Sequence, residues 1–296
     1  MVSQLWLLLA SVAILLRILK ARPLASRDVI LPPSEERVVL LGASSGVGRD
    51  LSHAYAKRGA RICIVARRTS SLDAVRKECL ALGIGEERII LVNADVTSTS
   101  ELINVRDRVI ETWGGFDTLH ILVGVPSTTT LLDLAGVPLV STSSERRRFS
   151  VDGEDLGDLV SKDNAKGGMP NQQGMDRVAA EARACAEINY VGTVLALACF
   201  LPLLASTSTS PALHHLSSVA ATVPGPRRNI YSATKSAALS AVETSLLPGT
   251  IANDFRTKTP FAQTGGDDEQ SWGKELAYDH LTLAPAQGKV SVEILP

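Results

Sequence analysis

The chain has 296 residues, 45% of them hydrophobic, so it is long enough to bury the core of one large α/β domain or two small ones. Its 30 basic and 31 acidic residues leave a formal net charge of −1, which gives no reason to expect a nucleic-acid partner. The four cysteines lie in apolar runs without a C-x-x-C spacing, which indicates buried thiols in a reducing compartment and argues against a disulfide framework or metal site: Cys63, Cys79, Cys185 and Cys199.

Residues 1–20 are predicted to be a hydrophobic anchor. Residues 5–16 carry no charge, and two more apolar residues follow Arg17. Because a comfortable bilayer span needs roughly 20 apolar residues, a helix lying on the domain surface is the alternative. Positive charges end and follow the run and none precedes it, so the positive-inside rule places the next domain in the cytosol. Residues 21–36 contain three prolines and are predicted to be a linker.

The following domain, residues 37–296, is predicted to begin with a buried strand, a glycine-rich turn and a helix. The turn reads Gly42-Ala43-Ser44-Ser45-Gly46-Val47-Gly48. Its glycines allow a sharp bend and a close approach of phosphate, and the free N–H groups at the start of the helix can then hold a pyrophosphate. The alternative is the ordinary strand-to-helix turn of any α/β protein.

Strands and helices then alternate with short connections, which predicts a doubly wound, parallel, Rossmann-like α/β sheet with helices on both faces. The further predicted strands are 61–66, 88–92, 119–123, 212–218 and 289–295. The predicted helices are 49–58, 72–82, 101–113, 177–204, 229–247 and, weakly, 272–283. No hydrophobic period persists between about 127 and 176, so we expect a polar insertion there, largely disordered or a flexible flap.

Four side chains form a candidate catalytic set: Asn189, Ser218, Tyr231 and Lys235. Tyr231 and Lys235 are four residues apart at the start of a predicted helix, so both side chains share one face. A tyrosine pKa near ~10 is too high for acid–base work at neutral pH, and a lysine ammonium nearby lowers it. Ser218 ends a predicted strand, where open α/β sheets place ligands, and its hydroxyl can bind a substrate oxygen.

In this order the motifs resemble the short-chain dehydrogenase/reductase family over roughly residues 37–251. The resemblance implies that Tyr231 is the general acid and that Lys235 binds the nicotinamide ribose and tunes Tyr231. It also implies that Ser218 orients the carbonyl and that Asn189 holds a proton-relay water. The implied cofactor-binding residues are Gly42, Ser44, Ser45, Gly46, Val47, Gly48, Arg67, Arg68, Asp95, Val96, Tyr231, Lys235, Pro248, Gly249 and Thr250, and no metal is implied.

Arg67 and Arg68 follow the second strand, where related NAD-dependent enzymes carry an acidic residue. Arginine suits the extra phosphate of NADP(H), although solvated surface arginines are the alternative. We therefore expect an NADP(H)-dependent oxidoreductase that moves hydride between nicotinamide C4 and a ketone or secondary alcohol. The anchor and motifs resemble ketosphinganine reductases and membrane-anchored hydroxysteroid dehydrogenases. This implies a lipophilic substrate, lipid metabolism, and an endoplasmic reticulum membrane with the domain in the cytosol.

The chain departs from the family in three places. Gly124-Val125-Pro126-Ser127 stands where the family has Asn-Asn-Ala-Gly, so we expect its support of the sheet and active site to be missing. The polar insertion moves Asn189 farther along the chain than usual. Only 13 positions separate Lys235 from Pro248, which predicts a sixth strand that is absent or reduced to residues 245–247. The alternative function is therefore a non-catalytic, membrane-tethered binding or scaffold protein with a degraded dinucleotide fold. The sequence leaves a homodimer open.

Overall fold

The computed structural model describes residues 27–137, 168–223 and 225–246, together with the backbone of two strands at 256–258 and 289–293. Its strands are β1 (Arg37–Leu41), β2 (Arg61–Ala66), β3 (Ile89–Asn93), β4 (Thr118–Ile121), β5 (Ala212–Leu216), β6 (Arg256–Lys258) and β7 (Lys289–Glu293). Its helices are α1 (Arg27–Ile30), α2 (Gly46–Lys57), α3 (Thr69–Ala81), α4 (Thr99–Trp113), α5 (Leu131–Ala135), α6 (Gln172–Ala186), α7 (Gly192–Thr207) and α8 (Asn229–Ser245).

The strands form one sheet in the order β3-β2-β1-β4-β5-β7-β6, and each neighbouring pair is parallel. The order of the first five strands is that of a doubly wound fold, which confirms the predicted fold class. It reverses between β1 and β4, so the connections leave in opposite directions there. A crevice opens at the carboxyl ends of these two strands, where open α/β sheets place their ligands.

The two faces of the sheet bury separate apolar clusters. Val39 and Leu41 face α4, α7 and α8, while Val38 and Leu40 face α2 and α3. Successive side chains of a strand point to opposite faces, and helices cover both faces of this sheet. The strands therefore read as continuous apolar runs, which is why their positions were predictable from the sequence.

The far edge of the sheet differs from the prediction. Residue Ser245 ends α8 and Leu246 caps that helix, so the helix takes residues predicted to be a remnant strand at 245–247. A strand of three residues, β6, lies at the edge, so a shortened sixth strand is present at another place in the sequence. The later strand β7 lies between β5 and β6, with Leu213 paired to Val290.

Residues 172–207 form one long helix made of α6, a π-helical segment at Glu187–Val191, and α7. This confirms the predicted helix at 177–204 and centres the π segment on Asn189. Among the described residues, it is the one helix long and apolar enough to cross a membrane. Phe200 and Leu204 are fully buried in the cluster against the sheet, so its apolar character is that of a core helix.

Two segments predicted to lack structure are partly folded. Residues 27–36 of the predicted linker belong to the domain, because Arg27 is buried and pairs with Glu36. The polar insertion predicted at 127–176 contains α5 and the beginning of α6. The ranges outside the described residues are 1–26, 138–167, 247–255, 259–288 and 294–296, with Pro224. They include the predicted anchor, most of the insertion, the weak helix at 272–283, and Pro248, Gly249 and Thr250.

Candidate active site

The glycine-rich turn joins β1 to α2 at the carboxyl edge of the sheet. Gly42 has φ +96° and lies so close to Val123 that an added Cβ would be 3.0 Å from its Cγ1. At Gly48 an added Cβ would lie 2.3 Å from the carbonyl oxygen of Gly42, so the helix can approach the turn only with glycine there. Gly46 has φ +52° and an added Cβ would meet nothing within 4 Å, so open space adjoins the start of α2.

A cleft of about 520 Å³ opens beside this turn. Its lining brings together seven residues predicted to bind a cofactor: Gly42, Ser44, Ser45, Arg67, Arg68, Asp95 and Val96. Gly46, Val47 and Gly48 form the first turn of α2 next to it. Further residues that the sequence did not predict also line the cleft: Ala94, Leu122, Gly124, Val125 and Ile188.

Arg67, which was predicted to bind phosphate, lies next to the acidic side chain of Asp95. Arg67 Nη1 is 3.6 Å from Asp95 Oδ2. Burial tends to raise the pKa of Asp95, but hydrogen bonds from the backbone and hydroxyl of Thr97, together with Arg67, hold it below its usual value. The carboxylate therefore stays ionised at neutral pH and draws Arg67 toward the cleft.

Asn93 fixes the turn that carries Arg67 and Arg68, and sequence reasoning missed it. Its amide donates to the main-chain oxygen of Arg67 at 2.7 Å and to Thr69 Oγ1 at 3.1 Å. Asn93 pairs with Ala66 in the parallel ladder, which places its side chain beside the end of β2. The signal available in the sequence was a polar residue at the carboxyl end of an apolar strand.

Asn189 is fully buried and fastens the long helix to the segment after β4. Its Oδ1 accepts from the Val125 amide at 2.8 Å, and its Nδ2 donates to the Val125 carbonyl and Thr234 Oγ1, each at 3.0 Å. The sequence predicted that residues 124–127 do not support the sheet and active site as the family's Asn-Asn-Ala-Gly stretch does. Asn189 holds this segment in place through its two hydrogen bonds to the Val125 backbone. Protein groups occupy both amide hydrogens. Its main-chain carbonyl accepts from Thr193 Oγ1 at 2.9 Å.

Lys235 is buried next to Asn189, with 3% of its surface exposed. Its ammonium donates to the Leu216 carbonyl at 3.0 Å. A Cβ on Gly124 would lie 3.1 Å from Lys235 Nζ and 3.4 Å from Asn189 Oδ1, so glycine there leaves room for both groups. Burial lowers the pKa of Lys235 to about 8. The amine can therefore change its charge close to neutral pH.

Ser218 and Tyr231 lie on either side of a short turn. Ser218 precedes the 3₁₀ turn Val219–Ala221, and its Oγ accepts from the Ala220 amide at 3.2 Å. Ser236 Oγ donates to the Ala221 carbonyl at 2.5 Å and so fastens this turn to α8. The Tyr231 ring lies under the Arg228 guanidinium, 5.5 Å from its centroid. Its hydroxyl has no hydrogen bond to another residue in the described part of the chain.

His215 is a buried polar side chain that no sequence signal marked. It is 1% exposed, and neither ring nitrogen has a hydrogen-bond partner among the residues that the structure describes. It precedes Leu216, whose carbonyl binds Lys235. Burial and then the Lys235 charge lower the pKa of His215 to about 3, so its imidazole is neutral at physiological pH. The surroundings of the Lys235 amine thus include an uncharged ring.

Part of the chain is similar to known proteins. Residues 36–137 match the family model described as short chain dehydrogenase. Over 95 residues the chain is 39% identical to a hydroxysteroid 11-beta-dehydrogenase 1-like protein of Gallus gallus, covering 31% of this chain and 32% of that protein. The 11-beta-hydroxysteroid dehydrogenase-like 2 of Arabidopsis thaliana is 34% identical over 100 residues, covering 34% of this chain and 32% of the relative.

Residues 36–137 are thus similar to the short-chain dehydrogenase/reductase family. These two local matches cover about a third of the relatives' own length. A longer alignment, with 11-beta-hydroxysteroid dehydrogenase-like 3 of Arabidopsis thaliana, is 24% identical over 242 residues and covers 78% of this chain and 63% of the relative.

Solved structures of short-chain dehydrogenase/reductases share the fold beyond residues 36–137. An alcohol dehydrogenase from Thermococcus sibiricus, complexed with 5-hydroxy-NADP, has a TM-score of 0.59 at 18% identity and covers 88% of this chain and 96% of its own. A short-chain type dehydrogenase/reductase from Mycobacterium marinum also has a TM-score of 0.59, at 19% identity, with coverages of 87% and 92%. At these identities the likeness concerns the fold alone.

Proposed function

We propose that the chain is an NADP(H)-dependent oxidoreductase that transfers hydride between nicotinamide C4 and a ketone or secondary alcohol. The observation that carries this proposal is the buried Lys235, packed with Asn189 against Gly124 at the end of the cofactor-sized cleft. Relatives named as hydroxysteroid dehydrogenases support oxidoreductase chemistry on a CH–OH group and a lipophilic substrate.

The cleft fits a dinucleotide on the geometry of the glycine-rich turn. Gly46 leaves the amides at the start of α2 open to a phosphate, and the cleft volume is about 520 Å³. The residues Ser44 and Ser45 line the same space, and so do Arg67 and Arg68, whose guanidinium groups would suit a ribose phosphate. When bound there, NADP(H) supplies or accepts the hydride.

The side chains of the site would handle the proton. Tyr231 donates its hydroxyl proton to the substrate oxygen during reduction and takes it back during oxidation. The Lys235 ammonium stabilises the phenolate, and because its pKa is about 8, this charge is present below that pH and is lost above it. Ser218 Oγ accepts a hydrogen bond from Ala220, so its own hydrogen is left to donate to the substrate oxygen.

A cofactor titration of the full chain tests the first half of the proposal. NADPH and NADH are titrated by calorimetry or by nicotinamide fluorescence. Arg67→Asp is expected to weaken NADPH binding by about tenfold or more and to improve NADH binding, because a charge-assisted contact to phosphate is replaced by repulsion. Arg108→Asp, on the exposed face of α4, is the matched control and should change neither affinity. Absence of NADPH binding at millimolar concentration would overturn the proposal.

Turnover separates the enzyme from the alternative, a non-catalytic membrane-tethered scaffold. One observation favours the scaffold: in the described part of the chain, the Tyr231 hydroxyl forms no hydrogen bond with Ser218 or Lys235. Wild type, Tyr231→Phe and the control Tyr190→Phe are assayed with NADPH against long-chain and steroid ketones. The enzyme predicts loss of turnover in Tyr231→Phe alone. Equal background rates in all three, with NADPH still bound, would establish the scaffold.

We further propose that residues 5–19 anchor the chain in a membrane, with the endoplasmic reticulum as the host and the domain in the cytosol. The support is the uncharged run followed by basic residues. Carbonate extraction tests the anchor, since recovery in the soluble fraction would contradict it. Protease added to intact microsomes tests the side, because a protected domain would place it in the lumen. Light scattering in detergent tests for the homodimer that the sequence leaves open.

A further inference from the structure

The amino-terminal edge of the sheet holds the point where residues 1–26 join the described domain. Arg27 is buried there and pairs with the buried carboxylate of Glu36. The same guanidinium donates to Thr118 Oγ1 at 2.7 Å and to the Ser210 carbonyl at 3.1 Å. Thr118 begins β4 and Ser210 precedes β5, so Arg27 is fastened to the sheet itself. We call residues 27–36 the amino-terminal clasp.

The clasp limits how far the domain can lie from the apolar run at 5–19. Residues 20–26 are all that separate the run from Arg27. An extended chain spans at most about 3.6 Å per residue, so this connection reaches no farther than about 25 Å. Strands of five or six residues are about 17–20 Å long, so the cofactor cleft lies that much farther from the clasp, at the opposite edge.

The surface around the clasp combines apolar and basic side chains. Val29 and Ile30 on α1 are exposed, by 72% and 39%. Arg61 and Arg88 line a cleft of about 530 Å³ at the same edge. Arg61 makes no side-chain hydrogen bond or ion pair with the described part of the chain. Arg88 is already engaged, because its Nη1 donates to the carbonyls of Ser34 and Gly59 at 2.7 and 2.9 Å and its Nε lies 3.9 Å from Glu87 Oε1.

Most of the nearby carboxylates are already paired. Asp117 forms an ion pair with Arg37 at 2.8 Å, and Asp28 pairs with Arg58 at 3.0 Å. Glu35 is exposed on the rim of the cleft. Arg61 is therefore the basic side chain that this part of the described chain leaves open to an anionic partner, and the exposed apolar residues lie on the element closest to the anchor.

We propose that this edge of the domain faces the bilayer, with Arg61 contacting a lipid phosphate and Val29 and Ile30 at the headgroup boundary. This orientation rests on the membrane anchoring proposed above. It directs the carboxyl edge of the sheet, with the cofactor cleft, away from the membrane. A lipophilic substrate then has to leave the bilayer to reach Lys235.

The test uses the full chain in nanodiscs of phosphatidylcholine with a minority of phosphatidylserine. A fluorescent dye is attached to Val29→Cys, or to Ser70→Cys at the carboxyl edge, and a nitroxide on the lipid headgroup quenches it. Labelled wild type gives the background from native cysteines. Because the two positions differ in height by about the length of a strand, the dye at position 29 should be quenched about twofold more, or better.

A second substitution tests the phosphate contact. Adding Arg61→Gln to Val29→Cys should remove about half of the extra quenching that phosphatidylserine produces over pure phosphatidylcholine, since a basic residue near an anionic surface is attracted to it. Lys77→Gln, on the exposed side of α3, is the control and should leave the quenching unchanged. An unchanged signal in Arg61→Gln would overturn the contact.

Equal or stronger quenching at position 70 would overturn the orientation. Recovery of the chain outside the nanodiscs would overturn the orientation together with the anchoring. NADPH binding is measured on the same samples. Its absence contradicts the proposed catalytic function and leaves the quenching result intact, so the two failures are distinguishable.

Discussion

Lys235 is a buried amine whose ammonium has, within the described part of the chain, one hydrogen bond, to the Leu216 carbonyl. Burial disfavours its charged form and lowers its pKa from 10.5 to about 8. A charged Lys235 at neutral pH therefore costs stability, and the enzyme proposal gives a reason to retain it. The neutral ring of His215 nearby neither adds a charge nor supplies a counter-charge.

Lys235→Met should raise the free energy of unfolding at neutral pH by up to about 3 kcal/mol, which is the free energy that corresponds to the lowered pKa of Lys235. Between about pH 8 and pH 10.5 the unfolded chain holds a proton that the folded chain has lost, so wild-type stability rises with pH across this window. The gain from the substitution should fade over the same window. Urea unfolding under reducing conditions measures it, with Lys77→Met as the exposed control. A lower free energy of unfolding for Lys235→Met than for wild type at neutral pH would show that the ammonium has a stabilising partner.

Predictions of single residues rest on local motifs, and contacts that the tertiary fold decides leave no such motif. Asn189 was identified from the residues around it, but its partners Val125 and Thr234 come from other parts of the chain and have no local signature. Asn93 and His215 were missed for the same reason. Their importance depends on which backbone or side chain the fold places beside them.

At the scale of elements, the glycines of the turn between β1 and α2 have different structural roles. Gly48 permits close packing of the helix on the turn, while Gly46 permits a positive φ next to open space. The sequence predicted the turn but could not separate these roles, because both depend on distances across the turn.

Gly48→Ala should therefore lower the free energy of unfolding by more than Gly46→Ala does. The added methyl at position 48 would lie 2.3 Å from a backbone oxygen, and overpacking of this kind costs about 1–3 kcal/mol or more. At position 46 the methyl meets open space, and the left-handed conformation costs about 1–2 kcal/mol. Urea unfolding of the two variants gives the comparison. An equal or larger loss at position 46 would contradict the packing role of Gly48.

The amino-terminal clasp was predicted to be a linker because three prolines and polar residues dominate its sequence. Its structure depends on Arg27 reaching Glu36 and Thr118, and a local pattern does not contain that contact. The π-helical segment around Asn189 was likewise invisible to periodicity. Strands were predicted well because burial on both faces makes them continuous apolar runs.

Arg27→Met should destabilise the domain by about 3–5 kcal/mol, because it leaves the buried Glu36 carboxylate without its counter-charge. Replacing both residues, with Arg27→Met and Glu36→Leu, should recover much of this loss, since no charge then stays buried. Thermal unfolding of the single and double variants measures the difference. A double variant less stable than the single one would show that the pair itself holds the clasp.

At the scale of the whole molecule, the alternation of strands and helices predicted the doubly wound sheet, and the structure confirms it. The order of the last two strands was beyond prediction. Nothing in the sequence of Lys289–Glu293 states that it pairs with β5, or that Arg256–Lys258 lies outside it. Strand order depends on which edge is free when each segment docks.

Deleting residues 289–296 should leave β5 with an open edge and remove the partner of β6. Unpaired edges of apolar parallel sheets promote aggregation, so soluble yield should fall and the remaining protein should elute as large species. Size-exclusion chromatography of the deleted form measures this. Deleting 294–296 alone, beyond β7, is the control, and a monodisperse 289–296 deletion would show that β7 is dispensable.

This strand order also bears on synthesis of the protein. The ribosome releases β1 to β5 in sequence, and these five strands can assemble as they emerge. The partner of β5 is translated after β6, so β6 can join the sheet only once residues 289–293 have left the exit tunnel. Throughout that interval the nascent chain presents an unpaired strand edge, the kind of surface that chaperones cover. A premature stop between β5 and β7 would make that nascent state permanent.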